Sequence, residues 1–276
     1  MLARVTVLPT SLRAVLATLI LAACGSAMAH DTWLHVDEQQ PGSGLLALQM
    51  GSGARYPKSE GAVPGSRVVQ PGCVDEAGAS HPLAPREERQ PMLQLRARIG
   101  DAKAVACWLE LQPVDLVLTP ELVQVYFQDI RAPQTVRDAW AAQQKAGVAW
   151  KEVYRKFVRI EAPLPGADAV AASAAMRQPR NYPLELVPVG KDPVRARVEA
   201  EFQALADGKP VPGLAVEFVS LRNPAGIWRE TDGNGRMRLA LPFAGEWLLR
   251  STVLHPPASP REPWRSAFAT LTVQVR

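Results

Sequence analysis

The sequence predicts a mainly β protein that carries one short helical insertion. In the last third of the chain, apolar and polar residues alternate with a period of two, which is typical of strands with one solvent-exposed face. Proline accounts for 25 of the 276 residues, well above the usual share of about 5%. Because proline interrupts regular elements, such a high content favours many short strands over a helical bundle. Only after Thr119-Pro120 does the periodicity become helical.

The clearest alternation runs from Val194 to Ala204, where every second residue is apolar and the residues between them are charged or polar. We expect a strand here and a turn at Asp207-Gly208. Further strands are predicted around 214–218, 237–241, 247–249 and 271–275. This spacing is typical of an antiparallel β-sandwich of the immunoglobulin or prealbumin type. Since Lys191-Asp192-Pro193 marks a boundary, the predicted C-terminal domain comprises residues 191–276.

The preceding residues, 30–190, predict a β-sandwich-like domain with inserted short helices. Strand candidates lie at 31–37, 44–50, 66–70, 92–99, 104–118 and 184–188. Thr119 is a suitable N-cap and Pro120 suits the first helical position, so we expect a helix to begin there. Two or three short helices are predicted to follow, as far as Val153 and Phe157. The alanine- and proline-rich residues 163–180 are expected to form an exposed connector.

Residues 1–29 have the features of a cleavable export signal. Arg4 and Arg13 precede an apolar run over 14–23, and Ala27-Met28-Ala29 forms a small-x-small cleavage site. The apolar run is shorter than the roughly 20 residues that a membrane span requires. We therefore expect a periplasmic protein with no stable membrane span after signal removal, whose mature chain begins at His30.

A second processing route overlaps the first. Leu21-Ala22-Ala23-Cys24-Gly25 resembles the lipobox of bacterial lipoproteins, in which Cys24 would be lipidated and become the new N-terminus. The two routes differ chemically, because only cleavage after Ala29 gives His30 a free α-amine. Lipidation would leave His30 inside a tether.

Outside the signal region, the cysteines are Cys73 and Cys107. An even pair in an exported protein predicts a disulfide, which would stabilise the fold by about 3–4 kcal/mol. The alternative is two buried free thiols. A cysteine metal site is disfavoured because the chain contains no CxxC spacing.

Charge and motifs exclude several classes of function. The chain has 31 basic and 27 acidic residues, and two of the basic ones lie in the signal, so nothing indicates nucleic-acid binding. There is no G-x-S-x-G elbow and no HExxH motif. Gly51-Ser52-Gly53 lacks the third glycine of a dinucleotide-binding loop. We predict no catalytic residues and no enzymatic activity.

Histidine is scarce, with four in the chain, and His30 is the one whose position indicates chemistry. After cleavage it would offer an α-amine and an imidazole to one metal ion, and such nitrogen ligands suit nickel, cobalt or copper. A further ligand must come from elsewhere. His255 is the first candidate, because it follows the predicted sandwich strands in a loop. The alternative is that a histidine stands at the cleavage boundary by chance.

Several short motifs occur in an order that resembles one bacterial periplasmic family. The first is Ala29-His30-Asp31-Thr32-Trp33-Leu34 at the signal junction. The others are Gly51–Pro57, Trp150–Phe157, Leu184–Pro188, Asp207–Pro210, Thr231–Gly235, Ala244–Leu249 and Ala269–Thr272. The chain is similar to a family regarded as a domain of unknown function and formerly labelled the nickel-uptake substrate-specific transmembrane region.

The resemblance implies an association with metal uptake and carries over His30 as a metal ligand. Some relatives have a histidine after the glycine of the second strand, where this chain has Ser52. We expect a periplasmic metal-binding accessory for nickel, cobalt or copper, with a metal-uptake transporter or another envelope protein as partner. The alternative is a non-catalytic envelope interaction or glycan-binding module. A copper oxidase that uses His30 is a third interpretation.

Overall fold

A computed structural model describes residues 30–37, 44–89, 91–164 and 172–276. The predicted signal and Cys24 lie outside these ranges, as does part of the predicted connector. The prediction of a mainly β fold is confirmed. The strands are β1 (Asp31–Val36), β2 (Gly44–Gly53), β3 (Val68–Asp75), β4 (Ser80–Arg89), β5 (Met92–Gly100), β6 (Ala104–Leu118), β7 (Trp150–Pro163), β8 (Glu185–Pro188), β9 (Glu199–Ala206), β10 (Lys209–Pro210), β11 (Ala215–Ser220), β12 (Asn223–Glu230), β13 (Arg236–Ala240), β14 (Gly245–His255) and β15 (Trp264–Val275).

Eleven of these strands form one sheet in the order β1-β2-β5-β4-β3-β6-β7-β15-β14-β11-β12. The parallel pair β7–β15 joins strands from the two sides of the predicted boundary. A second sheet, β10-β9-β13 with β8 beside β9, packs over the C-terminal strands in a sandwich-like arrangement. The division into residues 30–190 and 191–276 stays a prediction, while the large sheet continues across it.

The large sheet curls so that its first strand, β1, lies over β7 and β15. An aliphatic core of residues such as Leu34, Leu48, Leu95 and Ile160 fills the N-terminal part. The core between the two sheets contains Phe202, Phe218 and Trp247. Because β1 returns to the middle of the sheet, the residues before it are placed beside C-terminal strands.

Cys73 and Cys107 are bonded in the structure, with Cα atoms 4.0 Å apart. They face each other in register on the neighbouring strands β3 and β6, and both are buried. The expected pairing is therefore present, although its Cα separation lies just below the usual range of about 4.4–6.8 Å.

The helical insertion consists of α1 (Pro120–Asp129) and α2 (Gln134–Lys145). As predicted, α1 begins after Thr119, whose hydroxyl oxygen accepts a hydrogen bond from the Leu122 amide at 3.4 Å. The helices bury Phe127 and Trp140 against Trp150 and Trp264. In the described part of the chain, neither helix has the length and apolar character needed to cross a membrane.

The predicted extension of the helices to Val153 and Phe157 is wrong, because these residues belong to β7. This strand lies between β6 and β15 in the sheet. Its even-numbered residues, such as Trp150 and Ile160, join the aromatic and aliphatic cores on one face, and Phe157 packs into the core between the two sheets on the other. A strand buried on both faces shows no clean alternation. Its apolar residues four positions apart therefore imitate a helical spacing.

Other predicted boundaries also need correction. The strand expected from Val194 begins only at Glu199, because Arg197 has a φ of 63° and interrupts the extended backbone. Three strands, β4, β10 and β12, were not predicted. Prolines within β4 and β12, at 82, 85 and 224, are more typical of turns and edges than of strand interiors.

Candidate functional site

A cavity of about 410 Å³ lies where the start of β1, helix α1 and the C-terminal strands meet. We call it the His30 cavity. It is lined by His30, Asp31, Ala54, Glu60, Tyr126, Asp129, Ile130, Ala215, Trp228, Arg250, Ser251, Thr252 and Phe268. Its volume falls within the range of about 300–1,000 Å³ that is typical of small-molecule sites.

Side chains of β7 and β15 form hydrogen bonds with the backbone and side chains at the start of β1. The Lys156 ammonium donates hydrogen bonds to the His30 carbonyl and, at 3.3 Å, to the Thr32 hydroxyl. The Thr270 hydroxyl donates to the Thr32 carbonyl at 2.6 Å. Burial lowers the pKa of Lys156 to about 8, against the opposing effect of Asp31. These contacts fix the start of β1 and place His30 on the cavity wall.

Arg250, on β14, lies between two buried carboxylates, and we call Asp31, Glu217 and Arg250 the Arg250 cluster. Arg250 Nε donates a hydrogen bond to the Glu217 carboxylate at 2.6 Å, and Arg250 Nη1 donates one to the Asp31 carboxylate. Burial alone would lower the pKa of Arg250, but the two carboxylates outweigh it and raise that pKa. Burial raises the pKa of Glu217 while Arg250 lowers it. The guanidinium charge is thus already matched within the protein.

Glu60 lies beside the His30 ring, and its carboxylate is 3.3 Å from His30 Nε2. That distance permits an ion pair, yet the geometry does not make a hydrogen bond, and His30 Nε2 is buried without a hydrogen-bond partner. The loop after β2 holds Glu60 in place, since its amide donates to the Ser52 carbonyl at 2.8 Å. The Glu60 carboxylate also accepts a hydrogen bond from the Ala54 amide at 3.3 Å, so of this pair it is the imidazole nitrogen that is left without a hydrogen bond.

Asp129 is the last residue of α1 and also lines the cavity. Burial raises its pKa, Arg250 lowers it and Asp31 raises it further. The carboxyl end of a helix carries partial negative charge, so a carboxylate there is unfavourable. Burial and the helix end thus both disfavour the ionised form of Asp129.

Aromatic rings form much of the remaining wall. Tyr126 and Phe268 stack with their centroids 6.1 Å apart. Trp228, on the outer strand β12, carries the Arg131 guanidinium at 4.2 Å from its ring centroid. The cavity therefore combines aromatic surface with carboxylates.

Beneath this wall lies a fully buried carboxylate, Glu152, which is 1% exposed. It accepts hydrogen bonds from the Tyr126 hydroxyl at 3.1 Å, the Trp150 indole at 3.0 Å and the Ser266 hydroxyl. We call these four residues the Glu152 cluster. Burial raises the pKa of Glu152, and the three hydrogen bonds act in the opposite direction.

The two predicted metal ligands are not brought together. His30 lines the cavity, whereas His255 is exposed at the last position of β14 and lines no part of it. The nearest cavity residue on that strand is Thr252, three positions earlier, or about 10 Å along an extended chain. Across the residues that the structure describes, no group of three or more histidine, cysteine or acidic side chains is arranged to hold a metal ion.

Sequence reasoning missed Glu60, Asp129, Trp228 and Arg250 as members of the site. They come from a loop, a helix and two strands that are far apart in the chain. The one available signal was the Gly51–Pro57 motif, which directly precedes the loop that bears Glu60. The others carry no local pattern that distinguishes them from ordinary surface or core residues.

Comparison with known families gives one match. The family DUF4198, a domain of unknown function, matches residues 27–254. The chain belongs to the DUF4198 family. The matched range includes every residue of the His30 cavity except Phe268. The DUF4198 description names no metal or ligand, and no functionally curated protein matches the chain.

Proposed function

We propose that this DUF4198 protein is an exported periplasmic metal-binding accessory that holds a nickel, cobalt or copper ion at His30. The observation that carries the proposal is the pairing of the buried, unpartnered His30 Nε2 with the Glu60 carboxylate at 3.3 Å, beside a cavity. Because metal-binding histidines commonly donate their second ring nitrogen to a carboxylate, the position of Glu60 beside Nε2 supports metal binding at the other ring nitrogen, Nδ1. Nitrogen donors favour these transition metals over magnesium or calcium.

The expected donor set follows from the chemistry of an N-terminal histidine. Cleavage after Ala29 turns the His30 nitrogen into an α-amine, and this amine and Nδ1 can close one chelate ring on a metal ion. Nε2 then faces Glu60, as metal-binding histidines commonly donate their second ring nitrogen to a carboxylate. The other coordination positions open toward the cavity. A site with only two protein donors releases its metal readily, which suits delivery to a metal-uptake transporter or another envelope protein.

Calorimetric titration of mature protein with nickel and copper tests this proposal. Intact mass must first establish that the chain begins at His30 rather than at a lipidated Cys24. We expect one ion per chain, loss of binding in His30→Ala, and about 10–100-fold weaker binding in Glu60→Gln. His255→Ala serves as the matched control and should bind like the unaltered protein. Binding should also weaken in acid, because only neutral imidazole coordinates metal.

One additional variant isolates the α-amine. An alanine inserted between Ala29 and His30 moves the free amine one residue away while leaving the imidazole and Glu60 in the sequence. We expect it to bind metal far more weakly than the unaltered protein. Equal binding by the unaltered protein and His30→Ala, or no binding by either, would reject His30 as the anchor and favour the non-catalytic interaction or glycan-binding module.

A further inference from the structure

We propose that the His30 cavity binds a small organic ammonium compound, with its cationic group at Asp129 and its apolar part against Trp228, Tyr126 and Phe268. This inference goes beyond the metal site, because it concerns other residues of the cavity and requires no bound metal. It rests on the size of the cavity, on its charge and on the state of Asp129.

The cavity is larger than a metal ion and its coordinated waters require. It measures about 410 Å³, whereas one water molecule occupies about 30 Å³ in the liquid. Three of its lining residues are aromatic. Mostly apolar walls with a few convergent polar groups are typical of sites for organic molecules.

The charges of the wall select the sign of the ligand. Asp31, Glu60 and Asp129 are acidic, and Arg250 is the single lysine or arginine among the lining residues. Because Arg250 is bonded to Asp31 and Glu217, its charge is already matched. Lys156 and Arg131 lie just behind the wall, at His30 and Trp228. The four carboxylates, with Glu217 included, still outnumber the three cations, so the cavity is net negative and favours a cation over an anion.

Asp129 is the group best placed to receive that cation. Its side chain is exposed along the cavity wall, and its carboxylate stands at the unfavourable end of α1. A ligand cation would offset this unfavourable charge. Across the cavity, Arg131 covers one face of Trp228, which restrains the ring, and aromatic surfaces attract organic cations.

A matched series of probes on metal-free protein, kept in a chelator, tests the proposal. Benzylamine, benzyl alcohol and benzoate share one ring and differ in charge. We expect benzylamine to bind at least about tenfold more tightly than benzyl alcohol, and benzoate to bind most weakly. Ligand-observed NMR or calorimetry measures all three. Equal affinities, tighter binding of benzoate, or no binding of any probe would overturn the proposal.

Two variants locate the site. Asp129→Asn should weaken benzylamine binding at least about tenfold and leave benzyl alcohol binding nearly unchanged, since only the charge is lost. Asp138→Asn, at an exposed position on α2 outside the cavity, is the control and should change neither. Trp228→Leu should weaken both amine and alcohol, because both use the aromatic wall. Unaltered benzylamine binding in Asp129→Asn would refute the assignment.

Discussion

The Glu152 cluster and the His30 cavity are neighbouring polar regions that share Tyr126, yet they differ in how their polar groups are satisfied. Around Glu152, three side-chain donors converge on one carboxylate, and the group is closed to solvent. In the cavity, the Arg250 cluster is satisfied, but His30 Nε2 is buried and has no hydrogen-bond partner among the described residues. Buried polar groups are normally hydrogen-bonded. The comparison therefore assigns stability to the first region and binding to the second.

The largest effect is expected from Glu152→Ala. The change leaves the Tyr126 and Ser266 hydroxyls and the Trp150 indole without their acceptor and opens a small void. We expect the free energy of unfolding to fall by about 3–5 kcal/mol, measured by urea denaturation. Glu262→Ala, at an exposed position, should change it by no more than about 0.5 kcal/mol.

If the comparison holds, the Glu152→Ala protein that remains folded should still prefer benzylamine to benzoate, because the cavity carboxylates are unchanged. Loss of that preference with little loss of stability would mean that Glu152 belongs to the binding region.

A smaller, pH-dependent effect is expected at Lys156, which supports the start of β1 behind His30. Its pKa is about 8 in the folded protein and ordinarily 10.5, so the unfolded chain binds more protons between these values. The free energy of unfolding should therefore rise with pH across this window, by up to about 3 kcal/mol. Urea denaturation between pH 7.5 and 10.5 should show this rise for the unaltered protein, relative to Lys156→Met.

Lys151→Met is the matched control, since Lys151 is an exposed residue of the same strand, β7. It should follow the unaltered protein at every pH. A constant difference between the unaltered protein and Lys156→Met would show that Lys156 keeps its ordinary titration and supports β1 in some other way.

The smallest change in the free energy of unfolding is expected from Asp129→Asn. Burial raises the pKa of Asp129, so the folded protein holds this proton more tightly and the ionised group costs stability at neutral pH. Removing the charge at the end of α1 should raise the free energy of unfolding at pH 7 by about 0.5 kcal/mol at low salt. The gain should fade as the pH falls through the folded and then the unfolded pKa of this group. A loss of stability at pH 7 would mean that the Asp129 carboxylate makes a stabilising interaction in the folded protein, as Glu152 does.

The strands that sequence reasoning found and missed differ in their surroundings. The alternation near Phe202 reports a strand with one exposed face, and β9 is present there. Strand β7 is buried on both faces, so Val153 and Phe157 gave a misleading helical spacing. At Arg197 the pattern continues but the backbone turns to a positive φ, which alternation cannot reveal. Alternation of polar and apolar residues reveals a strand only when one of its faces is exposed. It gives no signal where both faces are buried, and it cannot show where the backbone leaves the extended conformation.

Some residues of the candidate site were predicted from the sequence and others were not. His30 was predicted because one residue at a cleavage junction carries two donor groups in its own chemistry. Glu60 and Asp129 were not, because their significance depends on what surrounds them. His255 was predicted from its place in a loop, and the structure puts it beyond the cavity on an exposed strand end.

The sequence by itself determined the mainly β class, the start of α1 at Thr119 and the candidate pairing of Cys73 with Cys107. Each depends on local periodicity, on a capping residue or on a simple count. Only the tertiary structure decided what stands around His30. The parallel pairing of β7 with β15 and the return of β1 over them bring residues from distant parts of the chain to one cavity. Such contacts arise from the burial of whole sheet faces, and burial depends on the complete fold rather than on the neighbours of any one residue.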